Sequence, residues 1–524
     1  MKASKVQLLY DWLYRNRWSI ILPIVIGLLI HFGVYSNVLF NPDSSYGWGE
    51  YRPGAWDMAL GRWGLQYVIA LRGNLVSPML VTVLLLLFYS LAGNMLVDLF
   101  DADGILHVLI PLTIICSTMA AGTIANYNLA DAFALAYLLA IASAMCVVKV
   151  ENSALGVFTG ALMLMLSLGI YQSNIGVAAV VCVMYIYLQC VLKARNAKSI
   201  LLQIKNFLLM GICGVVGYLV VLKIHLKFTG IELAGYKGAD NVSLGNIING
   251  LGQSIRSAYS DFFTYLFGSD TVINTYGIKQ MNIFLCCAFL LVLGCAVYQA
   301  VKAKRLIQIY MALFCVAIIP ITANLIDIAV PGTRISATVL TAGGVCTVPG
   351  FFMTAICLTA KKWKCGGTKL VRFVTLLCSI CLIWGYALLN NANSIVMQVN
   401  NNRTVELAGR ICKSLEENGY IAGEKALIIG SPNLGNYPPL NPLLEKADSY
   451  TACEMVWRGQ SEQYWATILY RHYGLNLYQG QDWGESYADA DRVELSEEFQ
   501  AMPLYPEAGS IQKIDNIYIV KVSN

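Results

Sequence analysis

The chain has 524 residues, 57% hydrophobic and 13% charged, with a net charge of +5 and a mean hydropathy of +0.59. An ordinary soluble domain carries about 25% charged residues, so this composition argues against a soluble enzyme and for a polytopic α-helical membrane protein. Its basic residues fall in short clusters between apolar segments, with no stripe interleaved with aromatics, which sets nucleic acid aside as a partner.

In chain order, residues 1–30 combine a positive start with an apolar run. No small-residue cleavage site follows the apolar core, so this stretch predicts an uncleaved first helix. Apolar stretches near 19–39, 76–97, 105–123, 131–149, 154–170, 175–192, 200–222, 281–299, 306–323, 335–359 and 371–389 then predict about eleven transmembrane helices. Lys2, Lys5, Arg15 and Arg17 share one predicted face with the connections 193–198, 302–305 and 361–372. That bias places the N-terminus inside the cytoplasmic membrane of a bacterium. The acidic connection 98–104 departs from it, although carboxylates count little in this rule.

The outer face then receives residues 40–75, 126–131, 171–174, 223–280 and 324–334. An odd number of spans also puts the tail outside. The predicted organisation is a transmembrane domain over 1–389 and a small extracytoplasmic α/β domain over 390–524. Within the tail, 404–420 and 464–475 have helical periodicity, while 425–431 and 514–522 read as buried and closing strands. The amphipathic segment 241–267 is expected to lie along the membrane interface. No internal repeat or low-complexity tract is visible.

Most of the 16 cysteines sit in apolar segments as small hydrophobes. Cys412 and Cys453 fall in the polar tail, and a disulfide between them stays open if that tail is outside. The four histidines make no metal-binding spacing, and His31 reads as a packed polar residue. The Asp101–Asp103 pair has the D-x-D form of metal-dependent sugar transferases, but it belongs to the inner face. A divalent metal is compatible with the chain, yet no motif demands one, and no cofactor is required.

The charged candidates gather in "NPDSSYGWGEYRPGAWDMALGRWG", residues 41–64. Asp43 follows the first span closely and suits a general base acting on an acceptor hydroxyl; its plainer role is a turn or helix cap. Glu50 and Asp57 are companion carboxylates or solvated loop charges, and Arg52 is a second cation of the same loop. Arg62 and Arg334 lie at outer ends of later segments, where a guanidinium fork matches a lipid phosphate. The alternatives are snorkelling beside Trp63 and pairing with Asp327. Tyr171 and Gln172 stand where a span meets the outer surface, as substrate contacts or as interface anchors. Trp63, with Trp48 and Trp56, suits either a sugar face or an aromatic belt.

A first span, an Asp-bearing loop and "GRWG" leading into the second span together resemble the bacterial GtrII-like glucosyltransferase family. The segments at 167–179, 319–339 and 502–523 resemble that family's Tyr-Gln segment, its later Arg-bearing loop and its tail end. The resemblance implies a GT-C-like transferase. It would take a sugar, commonly glucose, from a polyprenyl-phosphate carrier and add it, with inversion, to a surface glycan such as O-antigen or a cell wall polysaccharide. It also implies a small flippase and a lipid-linked-sugar synthase as partners beside membrane lipid. The acidic base would fall on Asp43, with Asp57 and Glu50 as companions. Asp43 is followed by Ser44 and Ser45 rather than by a second carboxylate, which keeps Asp57 in contention. A lipid-linked glycan flippase or transporter would want charged residues at mid-membrane and repeated halves, and few such residues and no repeat are seen. A polysaccharide polymerase shares the same lipid chemistry and stays an alternative. A membrane O-acyltransferase would need a buried catalytic His, for which only His31 is a candidate.

Overall fold

A computed structural model describes residues 5–39, 41, 44, 49–193, 196–235, 244–268, 274–330, 341–363, 367–421, 424–430, 441–445 and 483–523. Among these residues the chain is mainly helical, with a small sheet near the C-terminus, the polytopic class expected from composition. Among the described residues, nine helices are long and apolar enough to cross a membrane: Pro78–Phe100, Ala130–Lys149, Ser153–Ile170, Gln172–Lys193, Ala197–Thr229, Ile278–Lys302, Leu306–Ala323, Gly343–Lys362 and Thr368–Glu417. At 1.5 Å per residue the 23-residue Pro78–Phe100 helix covers about 34 Å, enough for a hydrocarbon core of about 30 Å. The bent pair Leu106–Cys116 and Thr118–Ala125 makes a tenth span if it crosses as one. The first of the eleven predicted segments is the shorter helix Arg17–Ile30, which stops at His31.

The chain divides into two compact units, one of residues 1–32 and 52–391 and one of residues 33–51 and 392–524. In the first unit, packing between helices relies on small residues and short polar links, as expected where lipid supplies no hydrophobic drive for association. Ser19 Oγ lies 2.6 Å from Asn94 Oδ1, Asn94 Nδ2 donates back to Ser19 O at 3.1 Å, and Ser90 Oγ donates to Ile20 O at 2.9 Å. These bonds tie Arg17–Ile30 to Pro78–Phe100. Gly93 lies so close to Pro111 that a Cβ would stand 2.5 Å from the proline Cα.

The 45° bend after Cys116 explains His31. A broken helix leaves carbonyls without an amide one turn on. His31 Nε2 lies 3.0 Å from Ile115 O, and Asn390 Nδ2 donates to Cys116 O at 2.9 Å. Ser117 Oγ then caps the next segment by accepting from Ala120 N at 3.3 Å. His31 is thus a buried structural partner. The expected interfacial segment is the helix Leu244–Phe267, which buries Ser254, Ala258, Asp261, Phe262, Tyr265 and Leu266, the spacing of one helical face.

Pro78–Phe100 separates two polar ends of this unit. Ser77 caps its start with Pro78 at the first helical position, and Asp101 closes it in a left-handed conformation (φ 52°). At the Asp101 end, Lys361 Nζ meets Asp103 Oδ2 at 2.6 Å and Arg372 Nη2 meets Asp103 Oδ1 at 3.2 Å. The hydrogen bond from Lys361, aided by the charge of Arg372, holds the Asp103 carboxyl below its usual range. Asp101 pairs with Lys193, so both carboxylates of the D-x-D tripeptide are engaged by basic side chains.

In the second unit, strands β1 (Lys425–Ile429), β2 (Ile511–Ile514) and β3 (Ile517–Lys521) form a sheet in the order β1-β3-β2. β3 is parallel to β1 and antiparallel to β2. Every residue of the central β3 is buried, whereas the edge strand β2 exposes Gln512 and Lys513. Leu427, Ile429, Ile517 and Ile519 pack with Val493, Phe499 and Met502. The closing strand expected over 514–522 is β3, and β2, which was not expected, precedes it to make a hairpin. Asp515 and Asn516 both take positive φ (49° and 63°), the two-residue turn whose twist matches the strands it joins. The helix expected over 404–420 continues from the last span as one helix, Thr368–Glu417. Cys412 is buried on that helix; Cys453 and the helix expected over 464–475 lie outside the described residues.

Candidate functional site

The Arg72 end of Pro78–Phe100 is built from the segment 52–76 and from the ends of four spans. The short helix Ala55–Ala59 starts at Gly54, whose amide donates to Asp57 Oδ2 at 3.2 Å. Asp57 is therefore the capping carboxylate of its own helix, and it is buried. The chain then turns at Gly61, which has φ 78°. A side chain there would be strained, and its Cβ would fall 2.7 Å from Tyr218 OH and 2.9 Å from Gln172 Nε2. Those two groups hold the turn: Gln172 Nε2 donates to Leu60 O at 2.8 Å, and Tyr218 OH donates to Gly61 O at 3.2 Å.

The turn delivers Arg62 and Trp63 to different surroundings. The Arg62 guanidinium carbon sits 5.7 Å from the Phe133 ring centroid and 5.5 Å from that of Tyr171. Those rings stack on each other at 4.2 Å. Arg62 Nη1 stands 3.9 Å from Asp57 Oδ1, at the outer limit of an ion pair. Its Nε is buried with no partner among the described residues, while the side chain keeps 20% exposure. A guanidinium beside two aromatic rings that keeps 20% of its side chain exposed has the chemistry to pair with an anion, and its fork matches phosphate oxygens.

Trp63 is buried at 5% exposure. Its ring covers Gly169 and stacks on His225 at 5.6 Å. Tyr67 OH lies 2.9 Å from His225 Nε2, and His225 Nδ1 lies 2.9 Å from Val221 O, so both ring nitrogens are engaged. Trp63 is thus a wedge that fixes the turn, and Gly64 N–H completes it by donating to Gly169 O at 2.7 Å. A Cβ on Gly169 would stand 2.5 Å from two ring atoms of Trp63. Gly169→Ala should therefore cost about 1–3 kcal/mol, read as a lower unfolding midpoint in detergent. An unchanged midpoint would mean that Trp63 is free to move aside.

The candidates divide as follows. Arg62, Asp57, Tyr171, Gln172 and Trp63 come together around the 61–64 turn. Arg52 is exposed on the strand-like lead into that turn, and Glu50 is exposed in the segment before it. Asp43 and Arg334 lie outside the described residues. Residue-by-residue reading passed over Phe133, Tyr218 and His225, which complete the walls. It also passed over a buried ion pair between Arg72 and Asp131, both with side chains 4% exposed. Arg72 further donates to Asn128 O. The "NYNLAD" segment, polar between two spans, was the available signal. Among the described residues, no group of three His, Cys, Asp or Glu side chains is arranged to hold a metal ion.

Spans, a small terminal sheet and an arginine set beside aromatic rings at one end of the spans define a polytopic helical membrane protein. The family model Glucosyl transferase GtrII matches residues 34–355, more than half of the chain. The chain belongs to that family and is a glucosyltransferase by membership. No curated protein and no solved structure matches it.

Proposed function

We propose that this glucosyltransferase moves glucose from a polyprenyl-phosphate carrier to a surface glycan on the outer face of a bacterial cytoplasmic membrane, with inversion at the anomeric carbon. The observation that carries this is Arg62: a guanidinium held over Phe133 and Tyr171 with an unused Nε–H, at the end of membrane-spanning helices. A phosphate on a lipid reaches such a place along the bilayer, with its chain between helices and its sugar in the polar layer. As the glycosidic bond to phosphate breaks, negative charge grows on the leaving oxygens, and Arg62 is set to stabilise it, joined by Arg334. Asp43 takes the proton from the acceptor hydroxyl. Asp57 is the weaker rival for that role, because its carboxylate already caps a helix and faces Arg62; Glu50 is the other. The N-terminus lies inside and the C-terminal domain outside, with membrane lipid, a flippase and a lipid-linked-sugar synthase as partners. The proposed reaction requires no cofactor, and a divalent metal is compatible with it.

The test is sugar transfer by purified full-length protein in liposomes, given a short-chain polyprenyl-phosphate glucose and a wall-glycan acceptor. Wild type should transfer glucose, and Asp43→Asn should lose transfer while unfolding at the wild-type midpoint. Undiminished transfer by Asp43→Asn would move the base to Asp57 or Glu50. Movement of labelled lipid across the bilayer without transfer would overturn the reading in favour of a flippase.

A further inference from the structure

Gly61 lets the chain reverse between the helices Ala55–Ala59 and Leu65–Leu71, and it leaves two peptide units just ahead of Arg62 outside either helix. A peptide unit is planar, so gripping its carbonyl at one pole and its amide at the other fixes how the next residue leaves it. Both units are gripped in this way. In the unit joining Leu60 to Gly61, the carbonyl accepts from Gln172 Nε2 at 2.8 Å and the amide donates to Met58 O at 2.8 Å. In the unit joining Gly61 to Arg62, the carbonyl accepts from Tyr218 OH at 3.2 Å and the amide donates to Asp57 O at 3.0 Å.

The amide poles are held by Met58 and Asp57, close by in the chain. The carbonyl poles are held from far away, by Gln172 at the start of one span and by Tyr218 within another. Gln172 Nε2 also donates to Tyr218 OH at 3.1 Å, so the phenol takes one hydrogen bond from the amide and gives one to Gly61 O. Both hydrogens of the Gln172 amide are thereby spent on this turn. Its neighbour Tyr171 faces the other end of Arg62, with the ring centroid 5.5 Å from the guanidinium carbon. Arg62 is thus held at its backbone by Gln172 and Tyr218 and met at its head by Tyr171.

We propose that Tyr218 is a positioning residue of glucosyl transfer, which together with Gln172 sets where the Arg62 guanidinium stands. Without the phenol hydroxyl, the buried Gly61 carbonyl loses its donor, and a glycine offers little resistance to rotation of the 61–62 peptide. Arg62 then leaves the turn at a different angle, and its long side chain carries the error to the guanidinium. The proposal rests on the reading of Arg62 as the contact of the carrier phosphate.

A double-mutant cycle of Tyr218→Phe with Arg62→Leu tests it in the purified full-length protein. Two quantities are read: glucosyl transfer in liposomes, and binding of short-chain polyprenyl phosphate, the released carrier. Tyr218→Phe should lower kcat/KM by about ten- to a hundredfold, the scale of a misplacement of about 1 Å. It should also weaken carrier binding severalfold. In the Arg62→Leu background the same substitution should change neither quantity. Gln172→Leu should act like Tyr218→Phe, and the two combined should lose little more than either alone. Equal losses from Tyr218→Phe in both backgrounds would overturn the proposal, because the effect would not pass through Arg62. Wild-type transfer and binding in Tyr218→Phe, beside losses in Arg62→Leu, would overturn it too. The reading of Arg62 fails on a different result: if Arg62→Leu transfers and binds as wild type does, it falls and takes the positioning role with it. Carrier binding that follows the expected pattern without any transfer would sink the transfer reaction and leave the positioning role standing.

Discussion

Arg62→Leu is expected to lower kcat/KM for glucosyl transfer by about 100- to 1,000-fold, the loss seen when one preorganised donor to developing charge is removed. Geometry gives the reason. Arg62 is not consumed by Asp57, because their nearest approach is 3.9 Å and Nε is unused among the described residues. It is not loose either, because it stands within 5.7 Å of the stacked Phe133 and Tyr171 rings. A cation positioned by aromatic faces and left with N–H groups to spare has its preorganisation made before substrate arrives. Stability should change little, since no tight ion pair is broken. Arg62→Lys separates charge from shape. It keeps the cation and loses the planar fork, so it should recover only part of the rate. If the phosphate is gripped equally in the bound donor and in the transition state, KM will carry the loss. If the grip strengthens as the bond to phosphate breaks, kcat will carry it. Unchanged kinetics in Arg62→Leu would reduce the residue to an interfacial snorkelling cation.

The spans were legible because apolar length is a property of composition, which no distant contact has to complete. Breaks inside them were not. The bend after Cys116 is sustained by His31 and Asn390, residues far away in the chain whose side chains meet its loose carbonyls. The same holds for the site. The capping of the Gly54 amide by Asp57 spans three residues and is local. The seat of Trp63 on Gly169 and His225, and of Arg62 on Phe133 and Tyr171, joins segments separated by seventy residues or more. "GRWG" announced an arginine beside a tryptophan, but only the fold turns one toward the site and the other into the core. In the second unit, the apolar run of β3 was readable, whereas β2 was not, because its two central residues, Gln512 and Lys513, are polar and exposed at the sheet edge.

Arg72→Leu is expected to destabilise the protein by about 3–5 kcal/mol, because it strands a buried carboxylate. The side chains of Arg72 and Asp131 are each 4% exposed, so water cannot take over the role of the missing partner. Arg72 also donates to Asn128 O, which fixes the approach to the Ala130–Lys149 helix, and Asp131 sits in the first turn of that helix where a negative charge is favoured. Equilibrium unfolding in detergent should show the loss. The double variant Arg72→Leu with Asp131→Leu should recover most of it, since replacing a whole buried pair by apolar groups is often neutral or better. The coupling between the two positions would then be strongly non-additive. Additive losses would mean that the pair contributes through packing alone. The consequence reaches function, because Phe133 lies two residues beyond Asp131 on the same helix and forms a wall of the Arg62 site. If the ion pair serves only stability, the double variant transfers glucose at the wild-type rate. If it also sets where that helix begins, the double variant folds well and still transfers slowly, with the same split between kcat and KM as a Phe133→Leu variant.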